Sequence, residues 1–332
     1  MNFEWLLSLA KQQPTNNFAF WIIILIFDFC ILDFCYMAFN KIFVLGAGAI
    51  GSIYGALLSK KFDVVLFGEK RHIEKINQKG LEVYIGRKKR IIKLKAKEKI
   101  QEIPPKTLIL LSTKAHQTEK ALKEIKGKLK KDTLILILQN GLGNKALVKK
   151  ILGKKTRVER AIVYTASEFL EPGKIRSWPK KTLLPKNEIS KEIKKAFQSC
   201  GLEVELSKNF KKEVWEKLII NSVLGPLAAL FKIRNNQVAD NRLKKVREML
   251  IEEGLRVAEA EGVKIEKNFK RDFERKISKY TNYPSMCQDI IKGQKTEIDF
   301  LNGKIIELAK KHGIDVPANE IVYSLIRFLQ KN

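Results

Sequence analysis

Lys41-Ile42-Phe43-Val44-Leu45 leads directly into Gly46-Ala47-Gly48-Ala49-Ile50-Gly51, and residues 52–60, which follow, carry a helical pattern. A short apolar run of this kind reads as a buried strand. The three glycines then have separate tasks. The first permits a tight turn out of the strand, the second leaves room for a pyrophosphate to approach the backbone, and the third lets helix and strand pack closely. The new helix begins with free N–H groups and a dipole that favours negative charge. Gly-x-Gly-x-x-Gly alone is a weak signal, and a merely structural glycine turn is the competing reading. The strand before it, the helix after it and a second strand at residues 63–67 (DVVLF) supply the context that makes it a dinucleotide site. Gly46, Ala47, Gly48, Ala49, Ile50 and Gly51 are therefore candidate cofactor-binding residues.

The end of the second strand selects between dinucleotides: an acidic residue there holds the ribose hydroxyls of NAD, and a basic one holds the extra phosphate of NADP. Here the sequence is Phe67-Gly68-Glu69-Lys70-Arg71. Glu69 points to NADH, whereas Lys70 and Arg71 could grip a phosphate, so both NADPH and NADH stay open.

Further along, residues 107–112 (TLILLS) and 133–138 (TLILIL) are continuous apolar strands, and residues 114–129 between them read as a helix. Strands apolar on both faces and alternating with helices indicate a parallel sheet covered on both sides. The pattern changes near residue 198. A last strand falls within residues 200–206, and apolar residues then recur at helical spacing over 214–230, 242–261, 269–280, 285–312 and 319–330. The expected architecture is α/β: a doubly wound parallel sheet of the Rossmann type over residues 38–207, then an all-helical part over 208–332.

The first 36 residues do not match the rest. Residues 18–36 are almost continuously apolar and about as long as a membrane span, but Asp28 and Asp33 interrupt them. No basic leader or small-residue cleavage site is present. Met37 stands just before the first strand and is expected to be the true start, with residues 1–36 a hydrophobic extension outside the native protein. A membrane anchor and a hydrophobic docking arm are the alternatives.

The 332 residues include 64 Lys plus Arg against 36 Asp plus Glu, a formal charge of +28. Such a surface would draw nucleic acid, anionic lipid or acidic metabolites. The basic residues are scattered, however, and no basic stretch is interleaved with aromatics as a base-stacking surface requires. Cysteines at 30, 35, 200 and 287 form no Cys-x-x-Cys pair, which fits a reducing, cytoplasmic setting. Histidines at 72, 116 and 312 lack metal-ligand spacing, so no metal is expected.

Four further segments look chemical. Residues 112–118 (STKAHQT) and 138–144 (LQNGLGN) follow strand ends, where ligands sit in doubly wound sheets. Residues 215–221 (WEKLIIN) place Lys217 and Asn221 at i,i+4, on one helix face. Residues 284–289 (PSMCQD) lead on to 295–303 (KTEIDFLNG). Plainer readings exist for each: a helical lysine is usually solvated, Ser285 after Pro284 can simply start a helix, and Glu297 can pair with a surface lysine.

With these segments in view, the chain resembles the ketopantoate reductases (2-dehydropantoate 2-reductases) from about Lys41 to the C-terminus. The resemblance implies reduction of 2-dehydropantoate to (R)-pantoate with NADPH, or in some members NADH, on the route to pantothenate and coenzyme A. It makes Lys217 the catalytic acid, places Asn140 on both cofactor and substrate, and puts Lys114 near the nicotinamide. It gives Asn221, Asn235 and Ser285 to the substrate and lets Glu297 contact the cofactor and help position the lysine. Two departures stand out. Gly225 occupies a position where the family often has a second asparagine, and Glu69 one where it often has arginine. The chemistry is coherent in itself: hydride addition to a ketone leaves an alkoxide, which a lysine ammonium can stabilise and protonate. The partners expected are a small anionic keto acid and a second copy of the chain as a homodimer, with no nucleic acid, and no membrane unless the front end is real. The competing functions are reduction of a different small 2-keto acid, a membrane-tethered dinucleotide-binding protein without catalysis, and a basic RNA-associated protein on the same fold.

Overall fold

In the computed structural model, residues 39–330 are described; the expectations for residues 1–36 fall outside them. The apolar run β1 (Lys41–Leu45) is followed by α1 (Ala49–Leu58), β2 (Asp63–Phe67), α2 (Lys70–Lys79), β3 (Leu81–Ile85), β4 (Lys88–Ile92), β5 (Lys95–Lys97) and β6 (Thr107–Leu111). Next come α3 (Thr118–Ile125), β7 (Leu134–Ile137), α4 (Asn144–Leu152), β8 (Arg157–Arg160), β9 (Ile162–Val163), β10 (Ala166–Glu171), β11 (Lys174–Trp178) and β12 (Thr182–Pro185). Strands β5, β2, β1, β6, β7 and β8 lie side by side in that order, every pair parallel. The order places β1 and β6 next to each other at the point where the chain reverses its direction across the sheet, the crevice in which doubly wound folds bind ligands. All five residues of β6 are buried, as a strand covered on both faces requires.

A second, four-stranded sheet in the order β10–β11–β3–β4 does not follow from the apolar pattern. Its outer strand β4 reads KKRII and is almost wholly exposed. Lysines on an edge strand deter pairing with other chains, and they also hide the strand from a search for apolar runs.

After α5 (Glu188–Ser199) and β13 (Val204–Ser207), the remainder is helical: α6 (Phe210–Phe231), α7 (Lys244–Ala260), α8 (Phe269–Ile277), α9 (Ser285–Ile291), α10 (Asn302–His312) and α11 (Pro317–Leu329). The spacing over residues 285–312 predicts one helix, but two form. Gly293, with φ of 63°, ends the first, and a short 3-10 turn at Ile298–Phe300 precedes the second. Residues 114–129 likewise form a 3-10 turn and then the shorter α3.

Helix α6 is the axis of this part, and α7, α9 and α11 pack on it. Pro226 lies inside it and cannot donate to the carbonyl of Ser222. The buried Asn302 takes over, its Nδ2 donating to the Ser222 oxygen at 2.9 Å. Asn302 Nδ2 also donates to Asn319 Oδ1 (3.0 Å), and Asn319 Nδ2 donates to Glu253 Oε2 (2.7 Å). The Glu253 carboxylate further accepts the backbone N–H groups of Ala318 and Asn319, in the first turn of α11, where a negative charge is favoured. A defect in one helix is thus closed by a polar chain that links three others.

Candidate active site

The turn after β1 is held by backbone. Gly46 and Ala47 both donate to the Phe67 carbonyl at the end of β2, at 3.0 and 2.8 Å. Gly46 has φ of 108°, and a Cβ there would lie 2.4 Å from the Thr113 nitrogen. At Gly51 a Cβ would lie 2.2 Å from the Gly46 oxygen, so helix and strand meet only because both residues lack one. Gly48 is different: a Cβ there would meet nothing within 4 Å. The outer face of the turn is therefore open, and the first-turn N–H groups of Ala49, Ile50 and Gly51 have no intrahelical acceptor. A pyrophosphate fits this cradle, and with it a nicotinamide dinucleotide.

A buried relay supports the turn from behind. Ser52 Oγ donates to the Ala47 carbonyl (3.2 Å) and lies 3.2 Å from His72 Nε2, while Gly173 N–H donates to His72 Nδ1 (2.8 Å). Because Nδ1 accepts, the ring proton sits on Nε2 and is donated to Ser52. Burial pushes the His72 pKa down to about 4, so the ring is neutral. Glu69 and Lys70 are exposed at the end of β2, the former just ahead of α2 and the latter 4.0 Å from Glu74.

The loops after β6 and β7 form the second wall. Gln139 Nε2 donates to the Thr113 carbonyl and to Thr118 Oγ1, tying the two loops together. Lys114 Nζ reaches across to the helical part and pairs with both oxygens of Asp289 on α9, at 2.9 and 2.7 Å. Burial alone would lower the Lys114 pKa, but the charges of Asp289 and Glu297 outweigh it and hold it above the usual lysine value. Next in the chain, the Ala115 N–H donates to Glu297 Oε1 (3.2 Å). Half-buried Asn140 keeps its side chain free of protein partners among the described residues, and its carbonyl accepts from Asn144.

Lys217 projects from α6 onto the first part of the chain. Its Nζ donates to the Val163 carbonyl of β9 and lies 5.5 Å from the centre of the Tyr164 ring. Burial, with a smaller contribution from the Arg160 guanidinium, brings its pKa down to about 7 against the opposing Glu297 carboxylate. Glu297 thus acts electrostatically on Lys114 and Lys217 alike, although it bonds to neither. Asn221, one turn beyond Lys217, is half-buried. Asn235 is buried in the turn after α6, with its Oδ1 unpartnered. Ser285 is the exposed first residue of α9. At Gly225 an added Cβ would lie 3.3 Å from Met286 Cε, so Met286 fills the space that a second asparagine would claim.

The structure therefore sets Lys217 against Val163 and Tyr164 within the field of Glu297, ties Glu297 to the loop after β6 at Ala115, and leaves Glu69 and Lys70 exposed after β2. Arg160, Asp289, Tyr164 and His72 were not singled out by the sequence pattern. Asp289 lies inside the PSMCQD segment, and Arg160 ends a strand, but charged strand sequences give no apolar signal.

Two family models cover the chain: "Ketopantoate reductase PanE/ApbA" matches residues 42–184 and its C-terminal companion matches residues 209–330. The chain belongs to the ketopantoate reductase family. A 2-dehydropantoate 2-reductase of Pyrococcus horikoshii is 36% identical over 297 residues, covering 86% of this chain and 96% of the relative. Among solved structures, a family ketopantoate reductase from Ralstonia eutropha superposes with a TM-score of 0.82 at 29% identity, covering 87% of this chain and 98% of that one. A D-mandelate dehydrogenase with NADH and anilino(oxo)acetate superposes at 0.79 with 26% identity and the same coverage. This ketopantoate reductase family member thus shares its fold with one enzyme named for a 2-keto acid and another named for a 2-hydroxy acid.

Proposed function

We propose that the protein reduces 2-dehydropantoate to (R)-pantoate in the cytoplasm, with Lys217 as the proton donor. The observation that carries this reading is the partly desolvated Lys217 ammonium, set between Val163, Tyr164 and the field of Glu297, with its pKa brought down to about 7. A donor near neutrality can both stabilise an oxyanion and release its proton. The nicotinamide, when bound, supplies the hydride. Gly46, Ala47, Gly48, Ala49, Ile50 and Gly51 hold its pyrophosphate, Glu69 and Lys70 face its adenosine end, and Lys114, Asn140 and Glu297 face the reacting end. Asn140, Asn221, Asn235 and Ser285 offer neutral donors and acceptors to the substrate hydroxyl and carbonyl, and residues 208–330 supply most of this substrate side. Glu69 favours NADH over NADPH. Helix α6 is long and apolar enough to cross a membrane, but 67% of its apolar window is buried in the protein, as befits the core helix that carries Lys217.

A second reading, reduction of another small 2-keto acid, is favoured by Gly225: Met286 replaces a polar contact there with an apolar one. Turnover of 2-dehydropantoate and of an aryl 2-keto acid, each with NADPH and NADH, separates the two readings. The expected result is highest kcat/KM for 2-dehydropantoate. No turnover of it above a Lys217→Ala control would sink the assignment.

A further inference from the structure

Arg160 ends β8, opposite Ile137 of β7, at the carboxyl edge of the parallel sheet. Its neighbour Glu159, which strand alternation turns the other way, is engaged with Lys145 (3.4 Å) and Asn187 (3.3 Å). The Arg160 side chain has no hydrogen bond and no ion pair among the described residues, and its Nε is sealed from solvent without a partner. Both Nη atoms also lack a partner but keep some access to solvent, so the fork opens outward from a closed stem. Burial pushes its pKa down to about 10, and no carboxylate offsets that. A buried, unpaired guanidinium is costly, since protein interiors pair such charges.

A second cation is near: Lys217 Nζ donates to the carbonyl of Val163, three residues beyond Arg160. Arg160 is close enough to Lys217 to lower its pKa, and the Glu297 carboxylate only partly opposes this and burial. Two cations with so little compensation make a site for an anion. A 2-keto acid carries a carboxylate on the carbon next to its ketone. A guanidinium fork is the best protein match for a carboxylate, through two parallel charge-assisted bonds.

We infer that Arg160 binds the substrate carboxylate, so that the adjoining ketone oxygen falls to Lys217 and the site selects 2-keto acids over uncharged ketones. The inference rests on the reductase reading above and extends it to the group that fixes the substrate class. It also explains why the Arg160 guanidinium has no partner among the described residues: its counter-ion arrives with the substrate.

The test uses the full-length protein with saturating cofactor and two substrates, 2-dehydropantoate and its uncharged lactone. Arg160→Met is expected to raise KM for the acid by roughly 30-fold or more, the scale of a lost charge-assisted pair, while kcat changes by only a few-fold. For the lactone, the wild type and the variant should have similar kcat/KM. Arg160→Lys, which keeps the charge and loses the fork, should fall between them, and it serves as the variant to measure if Arg160→Met does not fold. Calorimetry with pantoate and the oxidised cofactor gives a readout independent of turnover: the wild type binds and Arg160→Met binds at least tenfold more weakly. An unchanged KM for the acid with normal wild-type turnover overturns the inference alone, as does an equal loss on acid and lactone. Absence of wild-type turnover strikes the reductase reading instead, and equal pantoate binding by both proteins would again overturn the role of Arg160.

Discussion

The glycine turn at Gly46–Gly51 and the Lys217 face of α6 are built in opposite ways. The turn comes from a single stretch of chain closed onto its neighbours by backbone contacts, and two of its glycines leave no room for a methyl group. The Lys217 face is assembled from residues 160, 163–164, 217 and 297, and it holds charge with little compensation. The first region is specified by shape and costs the fold little. The second trades stability for reactivity, which is the usual condition of a site that must bind an anion.

That contrast can be broken most severely at Lys217. Lys217→Met should lower kcat by ~10²–10⁴, the range for losing a general acid. It should also raise the thermal midpoint at pH 6, because the folded protein no longer buries an ammonium. The sign follows from the shift. The folded pKa of about 7 lies below the ordinary 10.5, so the unfolded chain binds more protons between those values. The penalty is therefore complete below about pH 7 and fades towards 10.5, and the stabilisation by Lys217→Met should shrink by pH 9. In activity, kcat/KM of the wild type should fall tenfold per unit above about pH 7, set by Lys217 under the influence of Arg160 and Glu297. A flat profile to pH 9 would argue that the ammonium is not required.

The turn should respond the other way round. Gly51→Ala drives a Cβ to 2.2 Å from the Gly46 oxygen and should destabilise the fold by ~2–3 kcal/mol in chemical denaturation. Gly48→Ala should leave stability within ~0.5 kcal/mol, yet weaken dinucleotide binding measured by fluorescence titration. If the two variants lost stability equally, the open face at Gly48 would not be the phosphate side.

Behind α6 the effect is expected on stability alone. Asn302→Ala strips the Ser222 carbonyl of its donor and should cost ~1–3 kcal/mol in thermal or chemical unfolding. Activity should fall only through loss of folded protein, since Asn302 supports the helix one residue past Asn221 and touches none of the proposed reacting groups.

Much of this was legible from the chain itself. KIFVL, TLILLS and TLILIL are apolar on both faces, and that alone implies a parallel sheet with covers on both sides. Lys217 and Asn221 could be placed on one face by spacing. The second sheet could not be read, because β4 and β10 expose charged side chains at edges. The split between α9 and α10 was obscured because Ile291 and Ile298 stand seven residues apart, as on one helix face, while a positive φ at Gly293 ends the helix. Arg160 and Asp289 were illegible for another reason. Each matters through its surroundings: Asp289 through Lys114, 175 residues away, and Arg160 through the partner it lacks. Spacing within one segment cannot report on either.

The proline in α6 carries one more consequence. Asn302 acts as a repair for Pro226, and a repair has value only while the damage persists. With Pro226→Ala in place, the Ser222 carbonyl regains a donor within its own helix, and Asn302 then matters mainly for Asn319. Replacing Asn302 first should be harmful, and replacing it second should be milder. The order in which these two positions can change is therefore written into the helix: any route that exchanges both, by design or by descent, has to pass through the proline first.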